Sequence, residues 1–213
     1  VPDDTYQRNT VRVNASKKVG KVELSLNSSF FKDETDVVGG SIGDQDRPLY
    51  WFLLNTSANI PLSRYSDWKN DLYASPDGYY NAYYQNPYWA VGTNRNNQKT
   101  NRLNGNVQLS WDPLNWLNVT ARVGTNTVWA SGKNWRAAQS YDSFLQPSAG
   151  AVSSFVTDNE SQSSEIIEDL LLTGTFEFGD FSFKSILGAS NYSYIYRYSD
   201  VRAENLSIPD FYD

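Results

Sequence analysis

The chain has 213 residues, 15% of them aromatic, and it carries a net charge of −6 without any Cys, His or Met. The lack of Cys and His excludes a disulfide framework, a thiolate nucleophile and the commonest metal ligand, and the acidic balance argues against a nucleic-acid partner. No stretch approaches the roughly 18 consecutive apolar residues of a membrane-spanning helix, which leaves membrane-spanning β-strands open because these are short and only half apolar.

Six segments alternate apolar and polar residues with a period of two, which is the pattern of a β-strand with two different faces. In chain order they cover about 10–16, 21–31, 101–111, 116–127, 166–178 and 181–198. The last segment ends in four alternate tyrosines, Tyr192, Tyr194, Tyr196 and Tyr198, which the pattern does not assign to either face.

The third and fourth predicted strands carry the most regular alternation. Val107 and Leu109 in the third strand, with Val119 and Ala121 in the fourth, belong to an apolar face. The residues that we expect on the opposite, polar face are Asn104, Asn106, Gln108, Asn118, Thr120 and Arg122. In a membrane barrel the apolar face contacts lipid and the polar face lines the lumen.

The connections between the predicted strands have two very different lengths. Three are tight turns, "KKVGK" at 17–21, "DPLNW" at 112–116 and "FGDF" at 178–181, in which Gly and Pro supply the turn chemistry. Two are long excursions, about 32–99 and 128–163, which exceed the about 15 residues usual for loops of compact soluble domains. Short turns on one side and long extracellular loops on the other are typical of a bacterial outer-membrane β-barrel.

Periodicity alone does not separate such a barrel from a soluble sandwich, in which the apolar face meets a protein core. Long strands, the asymmetry of the connections and the aromatic residues beside two turns favour the barrel. Because the smallest bacterial barrels have about eight strands, six antiparallel strands predict a segment of a larger barrel. The lack of Met, even at the first position, agrees with a mature or partial piece of a longer polypeptide.

The first long excursion has the highest density of aromatic residues. "RPLYWFLLNT" at 47–56 has Pro48 before apolar residues at helical spacing, which predicts a short helix packed on the barrel mouth. Aromatic faces beside amide groups suit sugar rings, peptide backbones and protein contacts. The residues that we single out for ligand or partner binding are Tyr79, Tyr80, Tyr83, Tyr84, Asn86, Tyr88 and Trp89. The alternative is that these aromatics fold the excursion onto itself.

No catalytic constellation is recognisable in the sequence. Without His or Cys, a Ser–His or Cys–His nucleophile system cannot be built. Glu165, Glu168 and Asp169 cluster as paired carboxylates do, but their Ser-rich polar surroundings favour a solvated loop edge before the fifth strand. We therefore expect no enzyme activity, no cofactor and no metal site.

Three stretches resemble a known family. They are "YQRNTVRVNASKKVGKVELSLNSSF" at 6–30, "NPYWAVGTNRNNQKTNRLNGNVQLSWDPLNWLNVTARVG" at 86–124 and "RAENLSIPDFYD" at 202–213. They are similar to the mid-barrel of SusC/RagA-like TonB-dependent outer-membrane transporters of Bacteroidota. The more specific parts are "NPYW" followed by "RLNGNVQL", and "NLSIPDFY". The resemblance covers essentially the whole chain and keeps the order of the motifs.

The resemblance implies a barrel of about 22 strands, an N-terminal plug, a TonB box and a SusD-like surface lipoprotein that closes over the extracellular mouth. It further implies uptake of glycans or peptides, driven through TonB by the proton-motive force. Neither plug nor TonB box lies within these residues, and no motif fixes the ligand. The leading interpretation is thus a segment of a nutrient importer in the cell outer membrane. The alternatives are a soluble carbohydrate-binding or adhesin β-domain of a cell-surface protein, and a barrel that serves another outer-membrane machine.

Overall fold

A computed structural model describes residues 1–40, 48–76, 78–80, 85–138, 151–208 and 211–212. Its main feature is one six-stranded sheet in which the strands follow one another in chain order and every neighbouring pair is antiparallel. The strands are β1 (Thr5–Val19), β2 (Val22–Val38), β3 (Asn94–Leu114), β4 (Leu117–Arg136), β5 (Phe155–Phe178) and β6 (Phe181–Glu204). The prediction of an all-β antiparallel fold with six strands is confirmed.

Every strand is longer than its alternating segment. Strand β5 begins at Phe155 rather than near residue 166, and β3 begins at Asn94 rather than near residue 101. The added residues are polar on both faces, so they carry no period-two signal although their backbones continue the hydrogen-bond ladder. The long excursions are correspondingly shorter than expected and run over 39–93 and 137–154.

The register assigns each residue to one of two faces, because directly opposed residues of an antiparallel pair point to the same side. Leu24, Leu109, Ala121 and Leu170 are opposed in succession across four strands, which defines an apolar face. The predicted polar residues of β3 and β4 all lie on the other, polar face: Asn104, Asn106, Gln108, Asn118, Thr120 and Arg122.

The apolar residues of this face are concentrated at the end of the sheet that carries the three short turns, which we call the turn end. On this face the apolar residues of β2 run from Val22 to Phe30, with Ser28 among them, and Lys32 follows. The first polar residue past the apolar run is Asn9 in β1, Lys32 in β2, Glu168 in β5 and Asn191 in β6. Each of these four lies 10 residues from the turn end of its strand.

This boundary does not follow the hydrogen-bond register. Glu168 is opposed to Val123, which is in turn opposed to Val107 inside the apolar run of β3. The reason is that β5 continues to Phe178 past the end of β4, whose Leu117 is opposed to Gly174. In these four strands the apolar run therefore ends at the same height above the turns, whereas in β3 and β4 it ends before Asn101 and Thr125, which lie 13 and 8 residues from the turn end. The boundary in the four strands crosses the ladder obliquely, as strand tilt and stagger require in a barrel.

Two features shape the turn end. Gly20 and Gly179 have φ values of +59° and +58°, a conformation that glycine adopts without steric cost. Beside the turns, Trp116 stacks on Phe176 with ring centroids 5.3 Å apart, and Phe176 stacks on Phe183 at 6.5 Å. These rings connect β4, β5 and β6 on the apolar face.

The buried residues lie almost entirely at the opposite end, which we call the long-loop end. A core of Leu49, Phe52, Trp89, Ala90, Val91 and Ala137 packs there with Val38, Trp51 and Trp68. It involves helix α1 (Leu49–Leu54) and helix α2 (Pro87–Thr93) from the first excursion. The helix predicted within 47–56 is confirmed, and Pro48 precedes its first residue. None of the helices among the described residues is long and apolar enough to cross a membrane.

Arg95 fixes the start of β3 to its neighbours at this end. Its side chain is 8% exposed, and its Nε donates to Asp36 Oδ1 at 2.9 Å while Nη1 donates to Asp4 Oδ1 at 3.2 Å. Asp4 Oδ1 also accepts the backbone N–H of Val38 at 3.0 Å. This network of charge-assisted bonds holds the segment before β1 against the ends of β2 and β3.

Candidate functional site

The excursion 39–93 folds as a compact unit on the long-loop end of the sheet. Besides α1 and α2 it contains 3₁₀ turns at Leu62–Tyr65 and Leu72–Ala74. Its attachment to the sheet is partly backbone: Gly39 N–H donates to Asn94 O at 2.9 Å, and Ala137 N–H donates to Thr93 O at 3.0 Å. The position of the unit is therefore set by the strands that enter and leave it.

Asn86 holds three parts of this unit together. It is the N-cap of α2, and its Oδ1 accepts the Tyr88 N–H at 3.0 Å. Its Nδ2 donates to Tyr65 O at 2.8 Å and to Ala74 O at 2.7 Å, so both 3₁₀ turns are tied to the helix. The side chain is 1% exposed, and both polar atoms have partners in an enclosed site. Asn86 followed by Pro87 is a recognised helix start, so α2 was detectable from the sequence.

Three tyrosines form an aromatic cluster next to this amide. Tyr79 lies edge-on to Tyr65 and to Tyr80, with ring centroids 4.9 Å and 4.8 Å apart. Burial of the Tyr79 phenol raises its pKa to about 12, and the nearby Thr56 side chain opposes that rise. The phenol thus stays protonated far into the alkaline range, because its phenolate form would be poorly solvated.

The residues singled out for recognition differ sharply in exposure. Tyr79, Asn86 and Trp89 are buried within the folded excursion, at 2%, 1% and 6% exposure. Tyr80 is exposed at 38% and Tyr88 is half-buried, so only these two present surface to a ligand. Tyr83 and Tyr84 lie outside the described residues. Burial of Tyr79, Asn86 and Trp89 favours the alternative interpretation, that aromatics of this stretch fold the excursion onto itself.

The polar face of the sheet carries two hydrogen-bonded networks. In one, Arg122 donates twice to Asp169 Oδ2, at 2.9 Å from Nε and 2.7 Å from Nη2, and Ser190 Oγ donates to Asp169 Oδ1 at 2.7 Å. It joins β4, β5 and β6. Nearby, Asn118 Nδ2 donates to Ser110 Oγ at 2.8 Å, and Thr120 Oγ1 donates to Asn118 Oδ1 at 2.8 Å.

The second network lies further from the turns. Arg102 Nε donates to Asn126 Oδ1 at 2.6 Å, and Asn126 Nδ2 donates to Glu165 Oε2 at 3.1 Å. Together with Asn104, Asn106, Arg122 and Asp169, the two groups Asn126 and Glu165 line a shallow concavity of about 370 Å³. Each ionised group of these two networks is bonded to a partner, which leaves a neutral, amide-rich surface.

The carboxylate cluster does not lie at a loop edge, so that part of the sequence interpretation was wrong. All three carboxylates are within β5, where Glu165 and Asp169 lie on the polar face and Glu168 on the apolar face. Glu168 accepts a hydrogen bond from Asn191 Nδ2 at 3.0 Å. The Ser-rich context suggested a loop because β5 is polar on both faces in this region.

The register also assigns the four alternate tyrosines of β6. Tyr192, Tyr194, Tyr196 and Tyr198 are opposed to Ile167, Glu165, Ser163 and Ser161, which places all four on the polar face. The sequence could not show this, because the residues between them, Ser193, Ile195 and Arg197, are of mixed polarity and define neither face.

Substitution of Asn86 should open the excursion without unfolding the sheet. Asn86→Asp keeps the cap acceptor for Tyr88 but sets a carboxylate oxygen against two carbonyl oxygens, at a cost of roughly 1–3 kcal/mol for each lost partner. Amide hydrogen exchange across residues 49–93, followed by mass spectrometry, should accelerate in this variant and in Asn86→Ala. Asn59→Asp, at an exposed asparagine of the same unit, is the control. Unchanged exchange in both Asn86 variants would contradict the assigned role.

Alkaline pH should loosen the same unit through Tyr79. Its pKa is raised in the folded state, so its contribution to stability is complete below pH 10, the ordinary tyrosine pKa, and is lost as the pH rises through about 12. Tryptophan fluorescence from this unit should therefore change over that window in the wild type. Tyr79→Phe keeps the ring but cannot ionise, so its transition should lie at higher pH. Coincident transitions in the two proteins would show that Tyr79 does not control the change.

The architecture is shared with solved transporter structures, whereas neither a protein-family model nor a curated protein matches the chain. The RagAB peptide importer in its open-open state aligns with a TM-score of 0.64 and 13% identity, over 96% of this chain and 24% of that chain. The closed-closed state gives a TM-score of 0.62 and 11% identity, over 95% and 22% of the two chains. A further structure of the RagAB peptide transporter gives 0.63 and 12%, over 95% and 22%. The chain thus has the fold of part of a RagAB transporter chain and spans less than a quarter of its length.

Proposed function

We propose that the chain is a barrel segment of a TonB-dependent importer in the bacterial outer membrane, which takes up glycans or peptides together with a SusD-like surface lipoprotein. The observation that carries this proposal is the apolar band, which begins at the short turns, ends 8 to 13 residues from them in every strand and is covered by no described residue. Val11, Leu24, Val107, Val123 and Leu170 are all exposed in this band. A contiguous apolar surface of this size needs an apolar environment.

The height of the band fits a bilayer. From the turn to the first polar residue of β1, β2, β5 and β6, 10 residues at about 3.3 Å each span about 33 Å along a strand, or about 25 Å when the strand is tilted by about 40°. Outer-membrane barrels have an apolar belt of about 25 Å between aromatic girdles. The Trp116–Phe176–Phe183 stack lies where the girdle on the turn side belongs. Lys17 interrupts the band close to its turn, where a long amine can reach the interface.

The polar face suits a lumen. Asn106, Gln108 and Thr120 lie on it beside the Arg122–Asp169 pair, and such amide, hydroxyl and paired ionic groups are stable next to water or a plug domain. The chain supplies no constellation that makes or breaks bonds, so the proposed role is transport rather than catalysis. Coupling to TonB and closure by a lipoprotein rest on the sequence resemblance and on the RagAB neighbours.

A soluble carbohydrate-binding or adhesin β-domain is the alternative from another functional class. It requires a second protein layer over the apolar band, since a single sheet does not bury both faces. The discriminating observation is extraction: the importer needs detergent, whereas the adhesin domain is released as a monodisperse soluble protein. A barrel that is part of another outer-membrane complex has the same apolar band but takes up no substrate.

Arginine substitutions should distinguish the two faces. Val107→Arg, Leu109→Arg, Val119→Arg or Ala121→Arg should each lower the free energy of unfolding in vesicles by about 2–4 kcal/mol near the bilayer midplane. Asn106→Arg and Thr120→Arg, on the polar face, are the matched controls and should be tolerated. Equal losses on the two faces would mean that both contact protein, and the lipid assignment of β3 and β4 would fail.

Single cysteines should establish the sidedness, because the native chain has no thiol. Asn59→Cys in the excursion and Asp180→Cys in the third short turn are exposed positions. Asp77, also in the excursion, lies outside the described residues. A membrane-impermeant maleimide on intact cells should label Asn59→Cys and leave Asp180→Cys unlabelled until the outer membrane is opened. The reverse pattern would invert the topology and overturn the proposal.

A further inference from the structure

The four alternate tyrosines of β6 lie above the apolar band. The band ends in β6 at Asn191, and Tyr192 to Tyr198 follow it on the opposite face. They are therefore outside the lipid level and on the side that, under the proposed function, encloses the lumen. We call Tyr192, Tyr194, Tyr196 and Tyr198 the tyrosine track.

The rings of the track are open to solvent in the described structure. Their exposure ranges from 53% at Tyr194 to 60% at Tyr198. Their opposed neighbours are small at the upper end, since Ser163 and Ser161 face Tyr196 and Tyr198. The next strand continues this floor with Val128 and Ala130, opposed to the same two serines. Large rings therefore border a floor of small side chains.

An arginine-rich wall stands on the other side of that floor. Arg102 of β3 is opposed to Val128, and its guanidinium lies 5.8 Å from the ring centroid of Phe31. The Arg8 guanidinium lies 4.4 Å from the same ring. Three strand spacings separate β6 from β3, or about 14 Å. The polar face thus forms a groove with an aromatic wall and a cationic–aromatic wall, running along the strands.

The pitch of the track identifies the ligand that fits it. Alternate residues of a strand are spaced by about 6.6–6.8 Å, and the side chains on one side of an extended peptide have the same repeat. Successive side chains of a bound peptide can therefore meet successive tyrosine rings in register. Rigid aromatic faces accept apolar and aromatic side chains at low entropic cost and without demanding one sequence.

We propose that the tyrosine track is a binding site for extended peptides on their way into the lumen, a site that rests on the proposed importer function. Peptides lie along β6 with alternate side chains on the rings, and affinity depends on ring contact. Arg102 donates to Asn126, which donates to Glu165, so these side chains of the groove are held in place by hydrogen bonds.

Photo-crosslinking in the full-length parent protein, on cells that carry its natural partners, tests the site directly. The crosslinker p-benzoylphenylalanine is placed at Tyr196 or, as a control, at Ile195, which lies next to it on the opposite face. The probe is a tryptic digest of casein, with malto-oligosaccharides as the competing glycan. We expect casein peptides to be captured at position 196 and not at 195, without competition by the glycan. Capture of the lipoprotein, of the parent chain itself or of nothing at 196 would overturn the proposal.

Uptake of the same probes separates failure of the site from failure of the importer. The double variant Tyr194→Ser/Tyr196→Ser should lower peptide uptake roughly tenfold, while Tyr194→Phe/Tyr196→Phe and Ile195→Ser retain it. Folded barrel in the outer membrane is measured in parallel, and uptake is expressed per folded barrel. If the wild type takes up peptides and the serine variant does so equally, the track is wrong and the importer stands. If the wild type takes up malto-oligosaccharides but no peptides, the track is also wrong. If the wild type takes up neither probe, the importer function itself is rejected.

Discussion

A single-layer sheet depends first on its backbone hydrogen bonds, because no second layer among the described residues covers either face. Each inner strand is bonded along both of its edges to antiparallel neighbours, from β1 to β6 in chain order. At the turn end of the sheet, short turns are enough to connect the two strands of each hairpin. The long excursions connect successive strands at the long-loop end. What lies against the two faces is then decided by side chains alone. One face is apolar near the turns, and the other is mostly polar in β3 and β4, with Val128 and Ala130 among its residues.

The oblique course of the apolar band follows from the same ladder. If the band followed the register, Glu168 would lie at the same level as Val123 and Val107, to which it is connected by successive pairing. Counted from the turns, however, Glu168 is level with Lys32 and Asn191. When strands are tilted at a bilayer surface, the boundary between apolar and polar residues is planar but staggered with respect to the register. A flat sheet in a soluble protein does not require such a stagger. In these strands the distance from the turn and the change from apolar to polar residues thus give the same boundary.

The alternation in the sequence showed the strands only where their two faces have different surroundings. Strand number, order and facing were predictable for β3 and β4 because their two faces carry different residue types with a period of two. Beyond the band both faces are mostly polar and the period vanishes, so the first 11 residues of β5 and the first 7 of β3 look like loop; at β5 this misplaced Glu165. Contacts between distant segments, such as Asn86 with Tyr65 and Ala74, follow from tertiary packing and had no local signal.

Aromatic density proved to be a poor guide to exposure. In the Tyr-rich stretch of the excursion the described residues Tyr79 and Trp89 are buried, and Trp89 belongs to the core at the long-loop end. The tyrosines of β6 are fewer, yet a strand exposes every second residue on one face, so none of them can hide behind its neighbours. Rings that are held at a fixed pitch by a rigid backbone recognise a repeating ligand, whereas rings in a folded loop support one shape. Tyrosine therefore stabilises the fold of the excursion, whereas in β6 it is available for ligand binding. In β6 the strand register determines on which face the rings lie.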